Sequence, residues 1–167
     1  MPHPAVQLAV IGGATCDDRR RSLALETGRA IAEAGAVLLC GGRGGVMAAA
    51  AEGARIAGGR TVGILPGASA AETPPNADIE LAIYTGLGQA RNQILVLSAA
   101  AVIGIGGSWG TLTEIGLARK HRIPVVLLES WNLERPDGAN EAGLMQAENA
   151  EQAVALALAA IDERGTR

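Results

Sequence analysis

Phenylalanine is missing from this chain of 167 residues, and Tyr84, Trp109 and Trp131 are its only aromatics. Its core must therefore be built from Ala, Val, Leu and Ile, with Gly and Ala allowing helices to approach a sheet closely. Cys16 and Cys40 are the only cysteines, too few for a disulfide framework, and both read as small reduced thiols. Basic excess is lacking too: the formal net charge is -3, which argues against nucleic acid as a partner. No apolar run approaches the roughly 20 residues that span a bilayer. The start, Met1-Pro2-His3-Pro4, has none of the marks of a secretory leader. A cytoplasmic protein without membrane partners is expected.

What is present is a compact-domain composition, 49% hydrophobic and 19% charged, of a length that suits one domain over 1–167. Short apolar runs alternate with helical patterns. Strands are expected over 6–11, 36–40, 61–65, 79–84, 102–105 and 123–128. Helices are expected over 19–34, 46–57, 89–99, 111–121 and 150–161, with Gly35 at a helix C-cap. The helix over 89–99 should bury Ile94, Leu95, Val96 and Leu97, and residues 130–143 read as a polar loop, either a lid or a plain connection. Continuous apolar strands alternating with helices imply an α/β fold, a Rossmann-like doubly wound parallel sheet with helices on both faces. Ligands of such sheets bind outside the carboxyl ends of the strands.

Two glycine-rich turns fall at those ends. The first is Gly41-Gly42-Arg43-Gly44-Gly45. It suits a phosphate approached by bare backbone N–H groups, a helix dipole and the Arg43 charge. It equally suits a tight strand–helix turn in which the glycines serve packing alone. The second is Gly106-Gly107-Ser108-Trp109-Gly110-Thr111, followed by Glu114. Glycines, two hydroxyls, a helix start and a carboxylate converge there. Thr111 and Glu114 also have the spacing of a capping box, which would make Glu114 structural. Neither turn ends in the Gly-Lys-Ser/Thr of a P-loop, and the turn at Gly12-Gly13 lacks the dinucleotide fingerprint. Arg91, followed by Asn92, opens a helix, where a cation is disfavoured unless it meets an anion. His3 lies in the terminal tail and His121 in a basic cluster, and no residues have metal-ligand spacing.

Three segments in order, 40–47 (CGGRGGVM), 85–92 (TGLGQARN) and 106–114 (GGSWGTLTE), resemble the Lonely Guy (LOG) superfamily, also catalogued as "possible lysine decarboxylase". The nearest likeness is to its branch of molybdenum-cofactor carrier proteins. That resemblance implies cleavage of the N-glycosidic bond of nucleoside 5′-monophosphates, with Arg91 and Glu114 catalytic. The phosphate or nucleotide would lie on Gly41–Gly45, Asn92 and Gly106–Thr111. Alternatively, it implies a carrier holding molybdenum cofactor without turnover. No cofactor would be needed for the hydrolysis, and a homodimer or homotetramer is expected. Two positions depart from the family signature: Gly106 stands for its proline and Ser108 for its second glycine. Pyridoxal-phosphate decarboxylation does not fit, because it needs a Schiff-base lysine and Lys120 is the only lysine, within a basic cluster at a helix end.

Overall fold

The computed structural model describes residues 5–139 and 141–165. Its strands are β1 (Gln7–Gly12), β2 (Val37–Cys40), β3 (Thr61–Leu65), β4 (Leu81–Tyr84), β5 (Ala101–Ile105), β6 (Val125–Leu128) and β7 (Leu144–Gln146). The α-helices are α1 (Asp18–Glu33), α2 (Val46–Ile56), α3 (Arg91–Ser98), α4 (Trp109–Lys120) and α5 (Ala150–Gly165), with a 3₁₀ turn over Gly88–Ala90 before α3.

All seven strands pair in parallel in the order β4-β3-β2-β1-β5-β6-β7. The chain winds outward from β1 through β4, then returns to the other side of β1 as β5. The order therefore reverses between β1 and β5, whose ends meet at the Gly12–Ile105 pair. This is the doubly wound α/β architecture expected of the alternating pattern.

Side chains along each strand alternate between the two faces. Leu8 and Val10 of β1 join Ile103 of β5 and Val126 of β6 under α1, α2 and α5. Ala9 and Ile11 join Val102 and Leu127 under α3 and α4. The scarcity of aromatics has its counterpart between α1 and α2, whose backbones touch. A Cβ on Gly28 would stand 1.9 Å from the Ala50 carbonyl oxygen, and one on Gly53 1.9 Å from that of Leu25.

Helices α1, α2 and α4 end in one pattern. The N–H of Ala36 donates to Ile31, that of Gly59 to Ala54 and that of Ile123 to Ala118. The residues just before these donors, Gly35, Gly58 and Arg122, all have left-handed φ, of 73°, 74° and 58°. Glycine takes this conformation freely, whereas Arg122 is strained by its Cβ.

Two expectations need correction. Of the four apolar residues expected to bury along α3, only Leu95 and Val96 do, while Ile94 and Leu97 remain 38% and 51% exposed. A helix on a sheet buries one stripe, and four consecutive residues circle the whole helix. The strand β7, at the edge beside β6, falls where the sequence shows no strand pattern. Residues 130–139 and 141–143 before it are tied down. Arg119 donates to the carbonyls of Ile123 (2.7 Å) and Ala142 and to Glu141 (3.1 Å), and Trp131 and Leu133 pack against the α3/α4 side of the core.

Candidate functional site

Where the strand order reverses, the loops leaving β1 and β5 diverge and open a cleft of about 410 Å³. Gly12 and Ala14 border it from β1, Arg91 and Asn92 from the start of α3, and Thr111 and Glu114 from α4.

Helix α4 begins at Trp109, with Ser108 at its N-cap and no side-chain hydrogen bond closing that end. The first N–H groups of a helix have no partner within it, so those of Trp109, Gly110 and Thr111 form a positive end suited to an oxyanion. This start displaces the capping-box reading: Thr111 already lies inside the helix, and Glu114 points into the cleft lining rather than back to a cap. Gly107 has φ 125°, and a Cβ there would stand 2.7 Å from the Thr111 Cβ. Glycine at 107 thus lets the turn fold flat against Thr111, which is only 2% exposed.

Arg91 and Glu114 are charged groups at 9% and 8% exposure. Burial lowers the Arg91 pKa from its ordinary value, with Glu114 opposing the shift. Burial likewise pushes the Glu114 carboxyl up to about 7, with Arg91 holding it back. The two attract one another without closing a salt bridge. Arg91 Nη1 donates instead to the Ile64 carbonyl (2.9 Å), and its buried Nε has no partner among the described residues. A carboxyl that is half ionised near neutrality, beside a buried guanidinium with an unused donor, can take or give a proton next to a bound anion.

The first glycine turn contributes differently. Arg43 borders the cleft and is close enough to lower the Arg91 pKa further, so two cations face the same space. The glycines around it make close contacts. A Cβ on Gly41 would stand 2.3 Å from Arg91 Nη1, one on Gly42 2.9 Å from Leu65 Cδ2, one on Gly44 3.0 Å from the Ala14 oxygen and one on Gly45 2.3 Å from the Gly13 oxygen. Ser108 and Gly110 border the cleft, while Gly106 is buried beneath the turn. Trp109 stands outside the lining, 75% exposed, against Trp131 at a centroid separation of 5.4 Å. The reading of the sequence passed over Gly12 and Ala14, although Gly12-Gly13 ends the central strand at the position where doubly wound sheets bind ligands. It also passed over Pro66, and took Met47 only as the end of the 40–47 segment, although both border the cleft.

Three known proteins resemble this chain. A cytokinin riboside 5′-monophosphate phosphoribohydrolase of Mycobacterium tuberculosis is 34% identical over 116 residues, which cover 65% of this chain and 62% of that enzyme. The molybdenum cofactor binding protein of Rippkaea orientalis superposes with a TM-score of 0.82 at 36% identity, covering 96% of this chain and 99% of that one. The molybdenum cofactor carrier protein of Chlamydomonas reinhardtii gives a TM-score of 0.79 at 32% identity, covering 95% and 99%. Likeness to both kinds of protein fits the three ordered motifs, and the chain belongs to the SLOG cluster4 family, whose family model it matches over residues 5–158.

Proposed function

We propose that the cleft between the ends of β1 and β5 binds a nucleoside 5′-monophosphate and hydrolyses its N-glycosidic bond. The observation that carries this reading is the pairing of Glu114, its pKa raised to about 7, with buried Arg91 in one cleft. The 5′-phosphate rests on the amino end of α4, with Thr111, Ser108 and Gly110 around it and Arg43 adding charge. As the bond from C1′ to the base nitrogen breaks, positive charge develops on the ribose, and ionised Glu114 stabilises it. The oxygen of a water molecule bonds to C1′, and its proton leaves through Glu114 to the departing base. Arg91 holds Glu114 and the ribose phosphate in register. The products are free base and ribose 5-phosphate, and no step calls for a cofactor.

A second reading has the same cleft holding molybdenum cofactor as cargo. It is favoured by the likeness to cofactor-binding proteins along almost the whole chain, 96% against 65% for the hydrolase. In both readings the partner is a phosphorylated small molecule. We also propose self-association through the α3 side, where Ile94 and Leu97 of α3 and Leu81 and Ile83 of β4 stay exposed. No described helix is long and apolar enough to cross a membrane.

The deciding experiment incubates the purified protein with AMP and other nucleoside monophosphates and follows free base, with Glu114→Ala and Arg91→Ala alongside. Base release that both substitutions abolish is expected. Absence of release from every monophosphate, with saturable binding of molybdenum cofactor, would establish the carrier instead.

A further inference from the structure

Behind the turn at Gly107-Ser108 lies a second cavity of about 410 Å³, on the α1/α2 side of the strand ends. It is lined by the loop after β1 (Gly13, Ala14, Thr15 and Cys16), by Arg20 of α1 and by the far side of the turn. Ala14 and Ser108 border both cavities. The two spaces therefore meet across one narrow crest, the amino end of α4.

Arg20 is fixed there by contacts that leave part of its guanidinium unused. Its backbone N–H and Nη1 both donate to Asp17, at 2.8 and 2.7 Å. Its Nε is buried and has no hydrogen-bond partner among the described residues. The side chain lies over Gly106, where a Cβ would stand 2.6 Å from Arg20 Cδ and 2.7 Å from Nε. Gly106 also has φ 57°, a value a proline ring forbids. The loss of proline at this position thus makes room for Arg20 against the turn. Its neighbours Arg19 and Arg21 are turned to other carboxylates, Glu129 and Glu52. Cys16 adds no charge, since burial, and Asp17 after it, raises its pKa.

A cavity bordered by a glycine turn and by the Arg20 guanidinium, which is paired to Asp17 through Nη1, is suited to an oxyanion. We propose that it is a second anion subsite, which takes the distal phosphoryl group of a nucleoside diphosphate whose first phosphate lies at the amino end of α4. This rests on the reading that the Arg91–Glu114 cleft holds a nucleotide, and it widens the ligand class from one phosphate to two.

Calorimetric titration with AMP, ADP and inorganic pyrophosphate tests it. ADP should bind about ten-fold tighter than AMP, the effect of one added charge-assisted hydrogen bond. Arg20→Gln should bring that ratio to about one while leaving AMP affinity unchanged. Because Arg20 also holds Asp17, Cys16→Asp provides a second route: a carboxylate in the cavity should erase the ADP preference, and Cys16→Ser should keep it. Pyrophosphate binding that Arg20→Gln weakens, with neither nucleotide bound, would uphold the anion subsite and overturn the nucleotide cleft. Equal affinity for AMP and ADP in the wild-type protein, or a preference that survives both Arg20→Gln and Cys16→Asp, would overturn the subsite alone.

Discussion

The Arg91 guanidinium occupies the space that any side chain at position 41 would need, with Nη1 2.3 Å from where a Cβ on Gly41 would lie. The first glycine turn thereby positions a residue 50 places further along the chain. Gly41→Ala should push Arg91 away from its bond to Ile64. Arg91 and Met47, the two neighbours in the way, have flexible ends, so the fold should survive. If Arg91 acts in the hydrolysis proposed above, base release should fall on the order of a hundred-fold, the effect of misplacing a group that orients the reaction, with the thermal midpoint within a few degrees of wild type.

Glu114 should make stability fall as pH rises. Its carboxyl ionises near 4.5 when unfolded and near 7 in the native cleft. Between those values the native state holds a proton that the unfolded chain has lost. Stability is therefore highest below about pH 4.5 and declines until about pH 7, where both forms are ionised. The separation corresponds to about 3 kcal/mol. Glu114→Gln should be more stable than wild type by about 2–3 kcal/mol at pH 8, shrinking toward zero at pH 4.5. Urea unfolding at both pH values measures this, and a gain independent of pH would refute it.

Gly53→Ala tests the contact between α1 and α2. Alanine is favoured over glycine in a helix by about 1 kcal/mol, yet here its Cβ would meet the Leu25 carbonyl at 1.9 Å. The helices must separate, and overpacking of this kind costs about 1–3 kcal/mol. A net loss is expected in urea unfolding. Stabilisation instead would show that the two helices do not touch.

Arg122→Gly should stabilise the protein by about 1 kcal/mol. Its φ of 58° puts an L-residue where glycine sits at the ends of α1 and α2, and such strain costs about 1–2 kcal/mol. Glycine's freedom in the unfolded chain takes back part of the gain. Thermal denaturation of the variant measures the balance.

Most of the fold was legible because strands and helices here announce themselves locally. The strand at Thr61–Leu65 agrees residue for residue with its apolar run, and Gly35 ends α1 where a glycine should. Features that depend on neighbours were not legible. Strand β7 is three residues long and exists because β6 offers it an open edge. The orientation of α3, which sets Ile94 and Leu97 outward, follows from how it meets the sheet. Motif order pointed to Arg91 and Glu114, which the fold brings to the border of one cleft, but gave no sign that Glu114 is buried in a helix beginning at Trp109. Arg20 gave no signal at all: in sequence it is the middle of three consecutive arginines, and only the folded chain shows which of them leans over Gly106.

The pairing of Trp109 with Trp131 has an optical consequence. These are the only two tryptophans, and with no phenylalanine and a single tyrosine the interior is almost dark in the near ultraviolet. Trp109 follows Ser108, the crest between the two cavities, so emission from this pair reports the mouth of the site. Ligand entry should therefore change the intrinsic fluorescence without any label, through exposed Trp109. Trp131, packed on the α3/α4 side of the core, ties the same signal to the packing beneath it.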